Sequence, residues 1–215
     1  MIGSWPIRPM RLVETTTDPT AAVVKGFLDP ERCQQLARLA QDLYEAEEMY
    51  KNVFQGHTWV ANVDERATPR LRQDPRFGAL DGLRRDVLGD LRISNPTADS
   101  LLGDFISYMI DGGFVVKHRD DWQMESPDFE CRVRCNVFVQ KEPGSGDPCL
   151  GPDAEGSPQL RLGLSTGDLL FFSPTETVHS ATRVLETPRI MVSFGFLMKK
   201  ASFRGVLEGL GPGLR

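Results

Sequence analysis

Two of the three histidines in this 215-residue chain stand in a pattern that can bind a metal ion. His118 and Asp120 form an H-x-D pair, and His179 follows well downstream. Alternate residues of a strand share one face, so His118 and Asp120 can both reach one ion. Two imidazoles and one carboxylate, with no thiolate, suit Fe(II) and leave coordination positions open for oxygen chemistry. The pattern therefore predicts a catalytic iron centre rather than a structural zinc site, which favours four protein ligands.

An arginine shortly after His179 adds a second kind of chemistry. Arg189 opens the β-like run Arg-Ile-Met-Val-Ser-Phe, in which Arg189, Met191 and Ser193 share one face. A guanidinium buried in a barrel needs an anion, and its planar fork matches a carboxylate. Ser193 can donate its hydroxyl to the same carboxylate. The run thus predicts a carboxylate-binding position, with a surface salt bridge as the alternative.

The run from Arg132 to Val139 has two different faces. One face is apolar, and we expect it to pack on the core or on helices. The other face carries Arg132, Arg134, Asn136 and Phe138. If this second face points to solvent it is an ordinary polar face. If it lines the mouth of a barrel, Arg134 and Asn136 contact the substrate or a cosubstrate.

Two helices are predicted in the first hundred residues. Asp29 can cap a helix, Pro30 suits its first position and Glu31 favours the positive end of its dipole. Apolar residues then recur at helical spacing, which predicts a helix to about Tyr50. A second apolar stripe predicts a helix between residues 76 and 91.

Short β-like runs separated by turn signals follow residue 100. They are Leu102–Ile110, Gly113–His118, Arg132–Gln140, Gln159–Leu164, Asp168–Phe172, His179–Leu185 and Arg189–Met198. The segment Lys141–Pro158, rich in Gly, Pro, Ser and Asp, is predicted to be a long loop, either a surface insertion or a lid. Helices followed by many strands predict an α+β, mainly β fold, with N-terminal helices packed outside a β-sandwich or open barrel.

The composition excludes several classes of function. The net charge is −5 and no basic stripe is present, which argues against nucleic-acid binding. Apolar runs are too short to span a bilayer, and no signal-peptide pattern opens the chain, so we expect no membrane association. The four cysteines form neither a C-x-x-C pair nor a disulfide framework, which favours a reducing cytoplasm. The composition gives no prediction of oligomeric state.

These motifs together resemble the Fe(II)/2-oxoglutarate-dependent dioxygenase superfamily, and most of all its prolyl-4-hydroxylase-like branch. The similarity covers about residues 102–198. It rests on Tyr108, on Gly113–Asp120, on Gly167–Phe172, on the sequence that begins at His179, and on the strand from Arg189 to Ser193. The resemblance implies a double-stranded β-helix (jelly-roll or cupin-like) core. It also implies a single domain over residues 1–215, in which residues 1–100 support a catalytic β core at 101–198.

The resemblance also implies roles for individual residues. His118, Asp120 and His179 would hold Fe(II), and Arg189 would bind the distal carboxylate of the cosubstrate 2-oxoglutarate. The further expected cofactor contacts are Ser193, Tyr108 and Asn136, and the expected substrate contacts are Arg134, Trp122 and Asp121. Because Asp120 is present, halogenation is disfavoured. Phe138 stands where several relatives carry a tyrosine, which leaves the cosubstrate contacts on that side open.

The implied activity is hydroxylation of an unactivated C–H bond with O2 and 2-oxoglutarate. A compact chain without an extra recognition domain favours a small metabolite, such as an amino acid or a natural-product intermediate. The alternatives are a peptidyl or protein hydroxylase, or a desaturase or cyclase that uses the same chemistry. A non-catalytic sensor module predicts a degenerate metal set, whereas this set is intact. A cupin-like metalloenzyme without cosubstrate leaves Arg189 and Ser193 unexplained.

Overall fold

The computed structural model describes residues 10–13, 20–52, 57–61, 75–94, 96–99, 103–120, 131–151 and 158–210. The helices of this part of the chain are α1 (Pro30–Glu45), α2 (Gly78–Asp90) and α3 (Lys200–Gly209). Its strands are β1 (Met10–Val13), β2 (Ala21–Val24), β3 (Tyr50–Asn52), β4 (His57–Ala61), β5 (Thr97–Ala98), β6 (Phe105–Met109), β7 (Val115–His118), β8 (Cys131–Gln140), β9 (Pro148–Gly151), β10 (Leu160–Arg161), β11 (Leu169–Phe172), β12 (Val178–Ala181) and β13 (Arg189–Met198). The fold is mainly β, as predicted.

Helix α1 begins where the sequence predicts and ends earlier. The Asp29 side chain accepts a hydrogen bond of 2.9 Å from the Arg32 amide, which caps the first turn. The helix stops at Glu45 instead of continuing to Tyr50, because Glu47 adopts a positive φ of 57°. In this left-handed geometry the Glu48 amide bonds back to the Leu43 carbonyl at 3.0 Å, which satisfies the helix end.

The other two helices differ in how well the sequence predicts them. Helix α2 lies within the predicted bounds and follows a 3-10 turn at Pro75–Phe77. Helix α3 was not predicted, although its buried Phe203 and Leu207 stand at helical spacing. Both helices pack with α1 on the same side of the larger sheet.

Two antiparallel sheets form the body of the described structure. The larger, nine-stranded sheet has the order β1-β2-β11-β8-β13-β6-β4-β3, with β5 paired to β13. The smaller sheet has the order β10-β9-β12-β7. From β6 onward the chain passes repeatedly between the sheets: β6, β8, β11 and β13 join the larger one, and β7, β9, β10 and β12 join the smaller one. This alternation brings β7 and β12 together although they are distant in sequence.

The predicted two faces of β8 are confirmed. Val133, Cys135, Val137 and Val139 belong to a large apolar core that also contains the buried faces of the three helices. Phe138 points to the other side, into a smaller apolar cluster with Met191, Leu150 and Phe172. We call these two sides of the larger sheet the helix face and the inner face. The predicted helices therefore do lie outside the β core.

The segment predicted as a long loop is only partly a loop. Strand β9 (Pro148–Gly151) lies within it, is entirely buried, and pairs with β10 and β12. The sequence did not predict this strand because proline and glycine stand at its two ends, and both residues usually mark turns. The run predicted at Gln159–Leu164 contains only the short β10. No helix among the described residues is long and apolar enough to cross a membrane.

Candidate metal centre

The three predicted metal ligands converge. His118 on β7 and His179 on β12 are direct cross-strand partners. Asp120 follows the end of β7, where its amide donates to the Pro174 carbonyl at 3.1 Å. The ligand atoms of His118, Asp120 and His179 all lie within 4.8 Å of one another. One ion can therefore be reached by all three side chains.

Backbone carbonyls orient both imidazoles. His118 Nδ1 lies 2.9 Å from the Val116 carbonyl oxygen, and His179 Nδ1 lies 3.0 Å from the Thr177 carbonyl oxygen. A carbonyl can only accept, so each Nδ1 carries a proton, and the neutral form of each ring can present an Nε2 lone pair to a metal ion. The two ring centroids are 4.2 Å apart and the rings are inclined by 53°. Ligating histidines in metal sites are commonly held in this way. The donor set of two nitrogens and one carboxylate oxygen fits Fe(II).

The charges at the site also favour a cation. The hydrogen bond with Asp120, whose Oδ1 lies 3.3 Å from His118 Nε2, raises the pKa of His118. Burial lowers the pKa of His179, so this imidazole is neutral at neutral pH. Burial also acts to raise the pKa of Asp120, but the hydrogen bond with His118, together with the charge interactions around the carboxylate, outweighs it and lowers the pKa. A divalent ion would replace the proton shared by His118 and Asp120.

Arg189 has the features of an anion-binding residue. It opens β13, and only 4% of its surface is exposed. Its Nη1 donates to the Gly146 carbonyl at 3.1 Å, whereas its Nε has no hydrogen-bond partner in the structure. Burial lowers the pKa of Arg189 to about 10, so the side chain remains charged at neutral pH. A buried charged donor without a partner is costly, and a carboxylate ligand would satisfy it.

Three further predicted residues form one hydrogen-bonded row on the inner face. The Ser193 hydroxyl donates to Asn136 Oδ1 at 2.7 Å, and Arg134 Nη1 donates to Ser193 Oγ at 3.3 Å and to the Gly103 carbonyl at 2.6 Å. The Arg134 guanidinium lies over the Phe105 ring, 4.8 Å from its centroid. The Arg134 charge contributes to the lowered pKa of Asp120, which places this row within electrostatic range of the metal ligands.

Tyr108 is not brought to the site. Its hydroxyl donates to Gln41 Oε1 at 2.6 Å, and its ring stacks on Tyr44 with the centroids 4.3 Å apart. Both partners belong to α1, so Tyr108 lies on the helix face. On β6 it is Phe105 and Ser107 that stand opposite Ser193 and Met191 of the inner face. The predicted cosubstrate contact of Tyr108 is therefore wrong, because the side chain points to the other side of the sheet.

Two predicted substrate contacts, Asp121 and Trp122, lie outside the described residues. Two residues near Arg189 were not predicted from the sequence. Gly146 contacts the Arg189 side chain, and Asp147 forms ion pairs with Lys141 and Arg161. The Gly-Ser-Gly-Asp sequence at residues 144–147, separated from the end of β8 by three residues, was a signal for a tight turn there.

The chain resembles known proteins in its fold but not in its sequence. No family model matches the chain, and no curated protein matches it by sequence. Solved structures do match. A prolyl hydroxylase from Trichoplax adhaerens, in complex with a hypoxia inducible factor peptide fragment, has a TM-score of 0.59 at 14% identity, covering 86% of each chain. HygX from Streptomyces hygroscopicus, with nickel and 2-oxoglutarate bound, has a TM-score of 0.59 at 14% identity, covering 84% of each chain.

A third similar structure is the non-heme α-ketoglutarate-dependent epimerase SnoN from nogalamycin biosynthesis. Its TM-score is 0.57 at 20% identity, covering 83% of this chain and 78% of that one. The chain thus has the fold shared by these three solved structures. At such low identity the likeness shows the fold, and the function must be argued from the site.

Proposed function

We propose that this protein is an Fe(II)- and 2-oxoglutarate-dependent dioxygenase that hydroxylates an unactivated C–H bond of a small metabolite. The observation that carries the proposal is the convergence of His118, Asp120 and His179 within 4.8 Å, on a sheet that faces the buried Arg189 side of the other sheet. HygX, which has the same fold, was solved with 2-oxoglutarate and a metal ion bound. An intact ligand set argues against a non-catalytic module.

We infer that the core is a double-stranded β-helix within a single domain. The support is the strand order: eight strands from β6 to β13 divide equally between the two sheets, in the orders β11-β8-β13-β6 and β10-β9-β12-β7. This is the order expected when a folded-over hairpin of strands is rolled into a jelly roll. The four cysteines are free and buried, which is compatible with the expected cytoplasmic location.

Each site residue has a specific task in this proposal. His118, Asp120 and His179 would hold the iron, and Arg189 would bind the distal carboxylate of 2-oxoglutarate with help from Ser193. When bound, iron and 2-oxoglutarate supply the oxidative chemistry with O2, while the protein orients the substrate and excludes water. Phe172 packs edge-on against His179, with the centroids 5.3 Å apart, and shields one side of that ligand. Arg134 and Asn136 contact substrate or cosubstrate from the inner face.

A peptidyl hydroxylase is the second candidate. One observation favours it: the fold is shared over 86% of the chain with a prolyl hydroxylase that was solved with a peptide. Desaturation and ring closure, which the sequence also allows, would use the same site. Product analysis separates these outcomes, because hydroxylation adds one oxygen atom to the substrate, whereas desaturation removes two hydrogen atoms.

The test is 2-oxoglutarate-dependent release of succinate. Purified protein with Fe(II) is shifted from anaerobic to aerobic buffer with 2-oxoglutarate and panels of amino acids, natural-product precursors and proline-containing peptides. We expect succinate release with at least one small-molecule substrate, and none from the His179→Ala variant. Turnover with peptides alone would favour the second candidate. Failure of the protein to bind iron and 2-oxoglutarate at all would refute the dioxygenase proposal.

A further inference from the structure

Gly146 is packed so closely against the Arg189 side chain that there is little room for a Cβ atom at this position. A Cβ atom at this position would lie 3.0 Å from Arg189 Cδ and 2.9 Å from Val184 Cγ2. Gly146 also has a φ of +59°, and its carbonyl accepts the bond from Arg189 Nη1. Only glycine both adopts this backbone geometry without strain and leaves room for the arginine. The turn therefore fixes the stem and one end of the guanidinium.

Asp147 anchors this turn from the other side. Its carboxylate pairs with the buried Lys141 ammonium and accepts from Arg161 Nε at 2.7 Å. Its amide donates to Thr182 Oγ1 at 2.8 Å, and its carbonyl accepts from the Thr182 amide at 2.9 Å. The turn is thus tied to the end of β8 through Lys141 and to the chain after β12 through Thr182.

Among the described residues, the charges of this cluster are unbalanced. Lys141, Arg161 and Arg189 bring three cations to a region where Asp147 is the carboxylate that pairs with two of them. The Asp147 charge also partly opposes the lowering of the Arg189 pKa, and the Arg189 charge adds to the lowering of the Lys141 pKa. Arg161 is half exposed, whereas Lys141 and Arg189 are buried. The buried charge of Arg189 favours an anionic ligand, and its unpartnered Nε is the donor available to that ligand.

We propose that Gly146 and Asp147 are positioning residues that hold Arg189 for the distal carboxylate of the cosubstrate. This inference rests on the proposed function. It assigns a specific task to the turn between β8 and β9: Gly146 sets the direction of the guanidinium, and Asp147 holds the turn while balancing the charge of its neighbours. Selectivity for a dicarboxylic 2-oxo acid is then a property of the turn as well as of Arg189.

The chain contains a matched control for Gly146. Gly144 lies in the same turn and also has a positive φ, of 79°, but a Cβ there would meet only Arg161 Nη2 at 3.8 Å. Gly144→Ala and Gly146→Ala therefore impose similar backbone strain, while only Gly146→Ala displaces Arg189. The difference between the two variants reports the packing of Gly146 against Arg189 and Val184, and the comparison of two ligands separates the effect on the arginine.

The experiment measures binding by calorimetry on Mn(II)-loaded full-length protein without O2. The ligands are 2-oxoglutarate and 2-oxopentanoate, which has the same chain length but no distal carboxylate. We expect Gly146→Ala to weaken 2-oxoglutarate binding at least tenfold, Gly144→Ala to weaken it less than threefold, and both to leave 2-oxopentanoate and Mn(II) binding within threefold of wild type. Equal loss in both alanine variants, or equal loss for both ligands, would overturn the proposal.

Asp147→Asn provides a second test that keeps the shape of the side chain. We expect a several-fold rise in the KM for 2-oxoglutarate with little change in kcat at saturating cosubstrate. A fall in kcat with an unchanged KM would contradict a positioning role. If Gly146→Ala does not fold, Asp147→Asn decides the question by the same ligand comparison. Wild-type protein that binds neither 2-oxo acid would instead refute the proposed function itself.

Discussion

The two faces of the nine-stranded sheet are built from different residues. On the helix face, apolar side chains of β8, β11 and β13 pack with the three helices, and Phe171 stacks at an angle on Phe203 with the centroids 5.2 Å apart. On the inner face, the same strands bury Arg134, Ser193 and Arg189. Burial of apolar surface stabilises the fold, whereas burial of charge costs free energy unless the charge is paired. One face therefore supports the structure and the other prepares a ligand site.

This contrast predicts that substitutions on the two faces fail in different ways. Changes on the inner face and at the metal centre should reduce ligand binding in a folded protein. Changes on the helix face should reduce stability and leave the ligand affinity of the folded fraction unchanged.

The largest effect is expected from His179→Ala. The variant removes one of the three proposed metal ligands and should lose iron-dependent activity completely, with an unfolding midpoint near that of wild type. Iron content after anaerobic loading and gel filtration measures the loss. Ser180→Ala on the same strand is the control, because Ser180 bonds to Gln159 rather than to the centre. Full iron occupancy in His179→Ala would show that the ligand is misassigned.

On the helix face, Phe171→Ala should destabilise the protein by about 3–5 kcal/mol, the usual range for removing a buried phenylalanine. Phe171 is fully buried in the helix-side core. Urea denaturation followed by circular dichroism measures the change, and Phe171→Leu should cost markedly less. Wild-type stability together with a loss of iron affinity in Phe171→Ala would contradict the different roles of the two faces.

On the inner face, Arg189→Ala should raise the KM for 2-oxoglutarate about 10- to 100-fold, as expected when a hydrogen-bonded charge contact worth about 1.5–3 kcal/mol is lost. The change should fall mainly on KM rather than on kcat, because the contact is made before and during reaction. Steady-state succinate release at varied 2-oxoglutarate measures it. Arg183→Ala, at an exposed arginine, is the control. Equal cosubstrate affinity in Arg189→Ala and wild type would remove Arg189 from the site.

The smallest effect is expected from Tyr108→Phe. The variant loses the hydroxyl bond to Gln41 and should cost about 1 kcal/mol of stability. Its KM for 2-oxoglutarate should equal that of wild type, because Tyr108 lies on the helix face. A raised KM with unchanged stability would reverse this assignment and restore Tyr108 to the cosubstrate site.

Local patterns in the sequence predicted a good part of this molecule. The alternation in β8 predicted which residues meet the helices, and Asp29 predicted the start of α1. The spacing of His118 and Asp120 predicted that these two side chains can reach one point, and the run beginning at Arg189 predicted the bounds of β13. Each of these inferences depends on residues close together in sequence.

The failures have two physical causes. The cosubstrate role of Tyr108 came from its place in a family-like motif. Successive side chains of a strand point to opposite faces, so a match of this kind does not determine the face on which Tyr108 lies. Strand β9 and the ion pairs of Asp147 depend on contacts between segments that are separate in the sequence. Such contacts arise only when the sheets assemble, and no local periodicity records them.

The two histidines of the proposed metal centre are oriented in the same way, and this affects how far the surrounding sequence can change. Each imidazole is aligned by the carbonyl of the residue two positions earlier in the chain, Val116 for His118 and Thr177 for His179. Every amino acid supplies a carbonyl at those places, so orientation of the rings prescribes no further side chain. Three side chains and two paired strands are then enough to preserve the proposed centre while the surrounding sequence changes. This agrees with a fold that is shared with other proteins at 14–20% identity.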